Sequence, residues 1–128
     1  MKVQPHRQSG DLSGVKVFVV EDESLVAMQL EDMLDDLGCD VVATAMRVSG
    51  AHRLIDSGIE IDVAILDVNI GGETVYAVAE RMREAGIPIV FATGYGRGGV
   101  EERWHDCPIL QKPYTIQQIE SSIDTVLR

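Results

Sequence analysis

Ile61-Asp62-Val63-Ala64-Ile65-Leu66-Asp67-Val68-Asn69-Ile70-Gly71-Gly72 sets the architecture of this chain. Val63 to Leu66 is an unbroken apolar run of strand length, the pattern of a central parallel strand buried on both faces. The run stops on Asp67, and Gly71-Gly72 oblige the chain to turn soon afterwards. A carboxylate at the C-terminal end of a central parallel strand stands where open α/β sheets bind their ligands. One aspartate after one strand is more often a solvated loop residue, so the reading depends on what the rest of the chain sends to the same edge.

Outward from that strand the elements alternate. Val15–Val20 is a β-branched strand stopping on Glu21-Asp22-Glu23, three acids that read either as a solvated turn or as the first-turn acids of the next helix. In that helix Val26, Leu30, Met33, Leu34 and Leu37 recur at helical spacing, and Gly38 ends it. Asp40–Ala45 is a short strand, followed by a weaker helix over 48–56 with Ala51, Leu54 and Ile55 inward. After the Asp67 strand, Val75, Val78, Ala79 and Met82 mark a third helix closed by Gly86. Ile87–Ala92 is a fourth strand with Pro88 at its start, where a missing N–H is tolerated.

Thr93–Gly99 then carries four glycines in seven residues, which confines any helix there to about Val100–His105. Gly94–Gly99 is expected to be the most mobile part of the domain, with fast amide exchange reaching about Arg103. Cys107–Leu110 is a fifth strand ending on Gln111-Lys112-Pro113. Thr115 and Gln118 have capping-box spacing, and Ile116, Ile119, Ile123 and Val126 form the inner stripe of a last helix. Five strands alternating with five helices predict an α/β, flavodoxin-like, doubly wound parallel sheet in the order 2-1-3-4-5. Residues 15–128 form this one domain, and 1–14 are expected to be a disordered tail.

Composition narrows the function classes. The 128 residues suit a single core, and the net charge of −10 opposes direct nucleic-acid binding while favouring a site that collects cations. No apolar run spans a bilayer or forms a signal peptide, so no membrane partner is expected and the localisation is read as cytoplasmic. Cys39 and Cys107 open strands on opposite sheet edges. Four inter-strand gaps of roughly 4.8 Å put them beyond the disulfide reach of about 7 Å, so both are read as reduced. The histidines at 6, 52 and 105 have no metal-ligand spacing and no assigned role.

In the predicted topology the first, third, fourth and fifth strands deliver Glu21-Asp22, Asp67, Thr93 and Lys112 to one cleft. Carboxylates gathered this closely need a cation, and hard oxygen ligands suit Mg²⁺ shared with a phosphate. A carboxylate nucleophile with a metal, a lysine and a hydroxyl describes phosphoryl transfer through an acyl phosphate.

On Glu21-Asp22, Asp67 with Gly72 beyond it, Thr93, and Lys112-Pro113, the chain resembles the receiver domain of two-component response regulators from Val15 to Arg128. Phe91-Ala92-Thr93-Gly94-Tyr95-Gly96 resembles the FAT-G signature of alphaproteobacterial single-domain regulators, which work with histidine kinases of the HWE type or a related group. The resemblance implies that Asp67 accepts the phosphoryl group from a kinase phosphohistidine. It implies that Asp22, Asp67 and the Asn69 backbone carbonyl hold Mg²⁺, with Glu21 acting through water. It further implies that Lys112 pairs with Asp67, that Thr93 moves to signal phosphorylation, and that the Lys112–Pro113 bond is cis. The expected protein is a phosphoacceptor rather than an enzyme on other molecules. With no output domain after Arg128, it is expected to act by partner binding, phosphorelay or as a phosphate sink.

Three departures from the family pattern stand out. Gly71 replaces the usual proline four residues after the phosphoacceptor, which is expected to loosen that loop. Gly94 follows the switch threonine. Ile109 replaces the aromatic three residues before the lysine, leaving Tyr95 as the candidate substitute and, with Asn69, as the border of the hydrolytic water's route. A flavodoxin is excluded because Glu21-Asp22-Glu23 would repel its phosphate, and a haloacid-dehalogenase-type phosphatase because Asn69 cannot serve as its general acid. A phosphorylation-independent scaffold is the remaining alternative.

Overall fold

The computed structural model describes residues 11–128. Five parallel strands form the central sheet: β1 (Lys16–Val20), β2 (Asp40–Ala45), β3 (Val63–Asp67), β6 (Ile89–Thr93) and β7 (Ile109–Gln111). Their order is β2-β1-β3-β6-β7, the predicted flavodoxin-like arrangement. Four α-helices cover the two faces: α1 (Ser24–Asp36), α2 (Val48–Asp56), α3 (Tyr76–Glu84) and α4 (Ile116–Leu127).

Strand alternation sorts the core into two layers. Phe18, Val20, Ala64, Leu66 and Phe91 face the side packed with Ala51, Val78, Met82 and Trp104. Val17, Val19, Val63, Ile65 and Val90 face the other side, with Leu30, Leu34, Ile119 and Ile123. All five residues of β3 are buried, as a central strand requires.

Local signals act as read in several places. Gly38, at φ +83°, ends α1 with its own N–H on the Asp35 carbonyl and the Cys39 N–H on the Leu34 carbonyl. These are the two bonds of a Schellman motif. The Thr115–Gln118 capping box forms in full at α4. Cys39 and Cys107 are not joined in a disulfide and lie just before the two edge strands.

Four expectations change. The helix expected between the fourth and fifth strands is absent from the described residues: two 3₁₀ segments, Gly96–Gly99 and Glu102–Trp104, occupy its place. Glycines there disfavour an α-helix, and 3₁₀ turns need only short runs. Separately, of the two readings left open for the acids after β1, the first-turn one does not hold, because the first turn of α1 contains no acidic residue. In α1, Ala27 lies in the core, while Val26 lines a groove of about 240 Å³ with Met33, Pro113 and Tyr114. The expected tail falls mostly outside the described residues, but Leu12 is buried in the core and the Gly14 N–H bonds the Gly38 carbonyl.

The loop after Asp67 is the fourth. It forms a hairpin of β4 (Asn69–Ile70) and β5 (Glu73–Thr74), with Ile70 paired to Glu73. Gly71 and Gly72 sit at φ +58° and +85°. Two consecutive positive φ values are what a two-residue type I′ turn requires. A proline at position 71 could not adopt that φ, so glycine tightens this loop instead of loosening it.

Candidate functional site

The C-terminal strand edge brings the acids and the lysine into direct contact. Glu21 follows β1, and its main chain is anchored by an N–H bond to the Ala45 carbonyl. Its side chain is turned inward, 2% exposed as a residue, with Oε2 accepting from the Glu23 N–H. Asp67, the last residue of β3, is also buried. From β7's end, Lys112 Nζ donates to Glu21 Oε1 at 2.7 Å and to Asp67 Oδ2 at 3.0 Å. The expected pairing with Asp67 is present, and the ammonium bridges Glu21 as well.

Asp22 is held differently. Its Oδ2 accepts from the Gly71 N–H at 2.9 Å, across the mouth of the cleft. Glu21, Asp22 and Asp67 each offer a carboxylate oxygen within 4.8 Å of the others. Three hard oxygen donors at that separation, one of them on the partly exposed Asp22, fit a divalent cation of the Mg²⁺ type.

The charges respond to this crowding. Burial pushes the Glu21 carboxyl above its ordinary value, and the Lys112 and Glu23 hydrogen bonds offset this only in part. Burial works against the Lys112 charge, but hydrogen bonds to Glu21 and Asp67 outweigh it, so the lysine holds its proton more firmly than usual. The two partners thus differ: the lysine gains from the pair, while the more deeply enclosed glutamate loses more to desolvation than it recovers. Beside them, burial pushes the Tyr114 phenol up to about 12, which keeps it neutral.

Thr93 ends β6 and is buried, with Oγ1 accepting from the Tyr95 N–H at 3.2 Å. The Lys112 N–H bonds the Thr93 carbonyl, so this threonine and the lysine share a main-chain link. The Lys112–Pro113 bond is cis. Asn69 is exposed in β4, two residues beyond Asp67. Tyr95 projects outward with 77% exposure, while Ile109 is only partly buried in β7. The expected residues therefore line one edge, with Tyr95 at its rim. A larger groove of about 770 Å³, bordered by Arg83, Pro88 and Pro108, lies toward the starts of β6 and β7, away from this chemistry.

Sequence reading missed three contributors. The Gly71 N–H that orients Asp22 was invisible because the hairpin had not been recognised. Trp104, fully buried, was hidden inside a charged, glycine-rich segment, although a lone tryptophan there was itself a signal. It packs parallel to Tyr76 and edge-on to Phe91, with the Arg83 guanidinium 4.2 Å from its ring. Tyr76 completes the arrangement by accepting the Glu101 N–H on its hydroxyl at 2.9 Å.

Comparison with known proteins accords with this geometry. SdrG from Sphingomonas melonis Fr1, known in solution, is 41% identical with a TM-score of 0.80, covering 90% of this chain and 98% of that one. The BeF3-activated conformation of SdrG from Pseudomonas melonis Fr1 is 42% identical with a TM-score of 0.77, covering 91% and 98%. Among curated proteins, the transcriptional regulatory protein TcrA of Mycobacterium tuberculosis is 33% identical over 103 residues, 77% of this chain and 38% of its own length. The phyllosphere-induced regulator PhyR of Methylorubrum extorquens is 24% identical over 115 residues, 88% of this chain and 43% of its own. The chain spans less than half the length of these curated relatives. No helix among the described residues is long and apolar enough to cross a membrane. The response regulator receiver domain model matches residues 17–124, through every strand and acid of the site just described, and the chain belongs to that family.

Proposed function

We propose that this domain accepts a phosphoryl group on Asp67 from the phosphohistidine of a sensor kinase, and that Thr93 and Lys112 convert the modification into a change of shape. The observation that carries the proposal is the Lys112 ammonium set between Glu21 and Asp67, with Asp22 beside them. In the step, an Asp67 carboxylate oxygen attacks phosphorus, the nitrogen–phosphorus bond breaks, and the histidine nitrogen leaves and takes up a proton. The product is an acyl phosphate on Asp67.

Glu21, Asp22 and Asp67 would hold Mg²⁺, which when bound neutralises oxygen charge on the incoming phosphoryl group. Asp22 is already oriented by the Gly71 N–H. Lys112 follows the new oxygens from its place beside Asp67, and the Thr93 hydroxyl turns from the Tyr95 N–H to donate to one of them. The chain acts on itself alone in this reading, with a kinase of the HWE type or a related group as donor. Its output is partner binding, onward relay or withdrawal of phosphoryl groups from the kinase.

Incubation with acetyl phosphate and Mg²⁺, read by intact mass, tests this. One phosphoryl group should add to the wild type, none after chelation of the metal, and none to Asp67→Asn. Undiminished labelling of Asp67→Asn overturns the acceptor assignment. A wild type that takes up nothing supports a phosphorylation-independent scaffold instead.

A further inference from the structure

The Gly96–Gly99 turn lies against the switch threonine more closely than any side chain would permit. A Cβ built on Gly99 would fall 2.5 Å from Thr93 Oγ1, 3.4 Å from its Cγ2 and 2.9 Å from the Tyr95 Cβ. None of these atoms is the free end of a long side chain, so none can swing away at little cost. The contact closes a small ring of interactions: Thr93 Oγ1 takes the Tyr95 N–H, and the Val100 N–H reaches back to the Arg97 carbonyl. At its other end the turn rests on β7, where a Cβ on Gly96 would come 3.1 Å from Gln111 Oε1. Gln111 is the neighbour of Lys112 and the strand partner of Thr93.

Ile109 stands where a receiver would use an aromatic ring to register the movement of the threonine, and no ring is available there. The observed packing supplies another connection. We propose that Gly99 is a positioning residue for Thr93: its bare Cα lets the turn close on the threonine, so that displacement of Thr93 and opening of the Gly96–Gly99 turn are a single event. This rests on the reading that Thr93 answers phosphorylation of Asp67. The resting state is then held by close packing of Gly99 on Thr93, and the exposed Tyr95, carried on the same turn, moves with it. The signal leaves the site through the main chain of residues 95–99 rather than through a side chain of β7.

Glycine-to-alanine substitutions at two adjacent positions separate this from a general need for flexibility. At Gly98 a Cβ meets nothing within 4 Å and the backbone φ lies outside the left-handed region, so Gly98→Ala removes the same freedom without touching Thr93. Gly99→Ala should move the Thr93 methyl resonance of the unmodified protein toward its beryllofluoride-bound position. It should also speed exchange of the Tyr95 and Val100 amides by about tenfold, as modest overpacking would. The further change on adding beryllofluoride and Mg²⁺ should shrink in that variant, while Gly98→Ala behaves like the wild type.

Equal behaviour of the two variants overturns the inference. Should Gly99→Ala fail to give a dispersed spectrum, the wild type alone decides. In one beryllofluoride titration, the Thr93 methyl and the Gly96–Val100 amides must shift with a common midpoint, and independent midpoints overturn the coupling. Phosphoryl uptake by the wild type with an unmoved turn removes this inference and leaves the acceptor assignment standing. Failure of uptake removes both.

Discussion

Between Thr93 and β7 the chain runs first through Tyr95–Gly99 and then through Val100–Cys107. The first segment holds three glycines in five residues and a tyrosine 77% exposed. Its side chains bury almost nothing, and its position depends on main-chain contact with Thr93 and Gln111. The second is pinned from several directions. Trp104 is fully buried against Tyr76 and Phe91, and Val100 is buried with it. Arg103 pairs with Glu80 and Glu101, and Arg83 on α3 pairs with Asp106. His105 Nε2 lies 2.8 Å from the Val100 carbonyl and 3.0 Å from that of Arg97, so it donates a proton toward them. One segment therefore has little side-chain burial to hold it, its tie to the other running through His105 at the Arg97 carbonyl, and the other gives it a fixed end to move against. On these contacts the boundary of fast amide exchange is predicted near Val100 rather than at Arg103, which amide exchange of the unmodified protein would check.

The severest way to break this contrast is Trp104→Ala. Emptying a fully buried aromatic site costs about 3–5 kcal/mol, read from urea denaturation by circular dichroism. The variant should also bring exchange in Glu102–Cys107 up to the rate of the glycine turn. A loss below about 1 kcal/mol, well under what a packed core site gives up, would mean that Trp104 anchors nothing.

Tyr76→Phe is the next test. It keeps the ring stack and removes the acceptor of the Glu101 N–H, a part-buried donor. Leaving such a donor unpaired costs on the order of 1 kcal/mol, with faster exchange centred on the Glu101 amide. No change at that amide would place the pin elsewhere.

Arg103→Ala probes the exposed ion pairs. Its partners are open to solvent, so the loss should be smaller than that of Tyr76→Phe and should shrink further as salt rises. A larger, salt-independent loss would point to its guanidinium, 5.2 Å from the Trp104 ring centre, as the greater contributor.

Tyr95→Ala should have the smallest effect on stability, under about 0.5 kcal/mol, because the ring is exposed. It should nevertheless change the lifetime of phospho-Asp67 and weaken the spectral response to beryllofluoride. An unchanged lifetime together with an unchanged response would make Tyr95 a bystander. A stability loss as large as that of Tyr76→Phe would erase the distinction between the two segments.

How much could be read in advance differs from place to place for physical reasons. The apolar run Val63–Leu66 and the stripe of α4 are one-dimensional patterns, and burial of a strand or a helix face follows from their period. Strand-end residues were equally legible, because a parallel sheet places all its C-terminal ends on one edge. That is why Glu21, Asp22, Asp67, Thr93 and Lys112 were expected in a common cleft. The capping box at Thr115 and the stop at Gly38 depend on neighbours a few residues away, which sequence also displays.

Other features depend on which distant groups meet, and only the folded chain settles that. Lys112 bridges Glu21 as well as Asp67 because β1, β3 and β7 bring their ends within one side chain's reach. Gly71 reads as a lost proline in sequence, yet in the fold it supplies both a hairpin turn and the N–H that Asp22 uses. The missing fourth helix was foreshadowed by glycine content, but its replacement, a glycine turn followed by a segment nailed down by Trp104, required the ring to find Tyr76 and Phe91. Gly99 is the clearest instance. Sequence shows a residue without a side chain, whereas the tertiary structure shows why none fits, because the space a Cβ would take is already filled by Thr93.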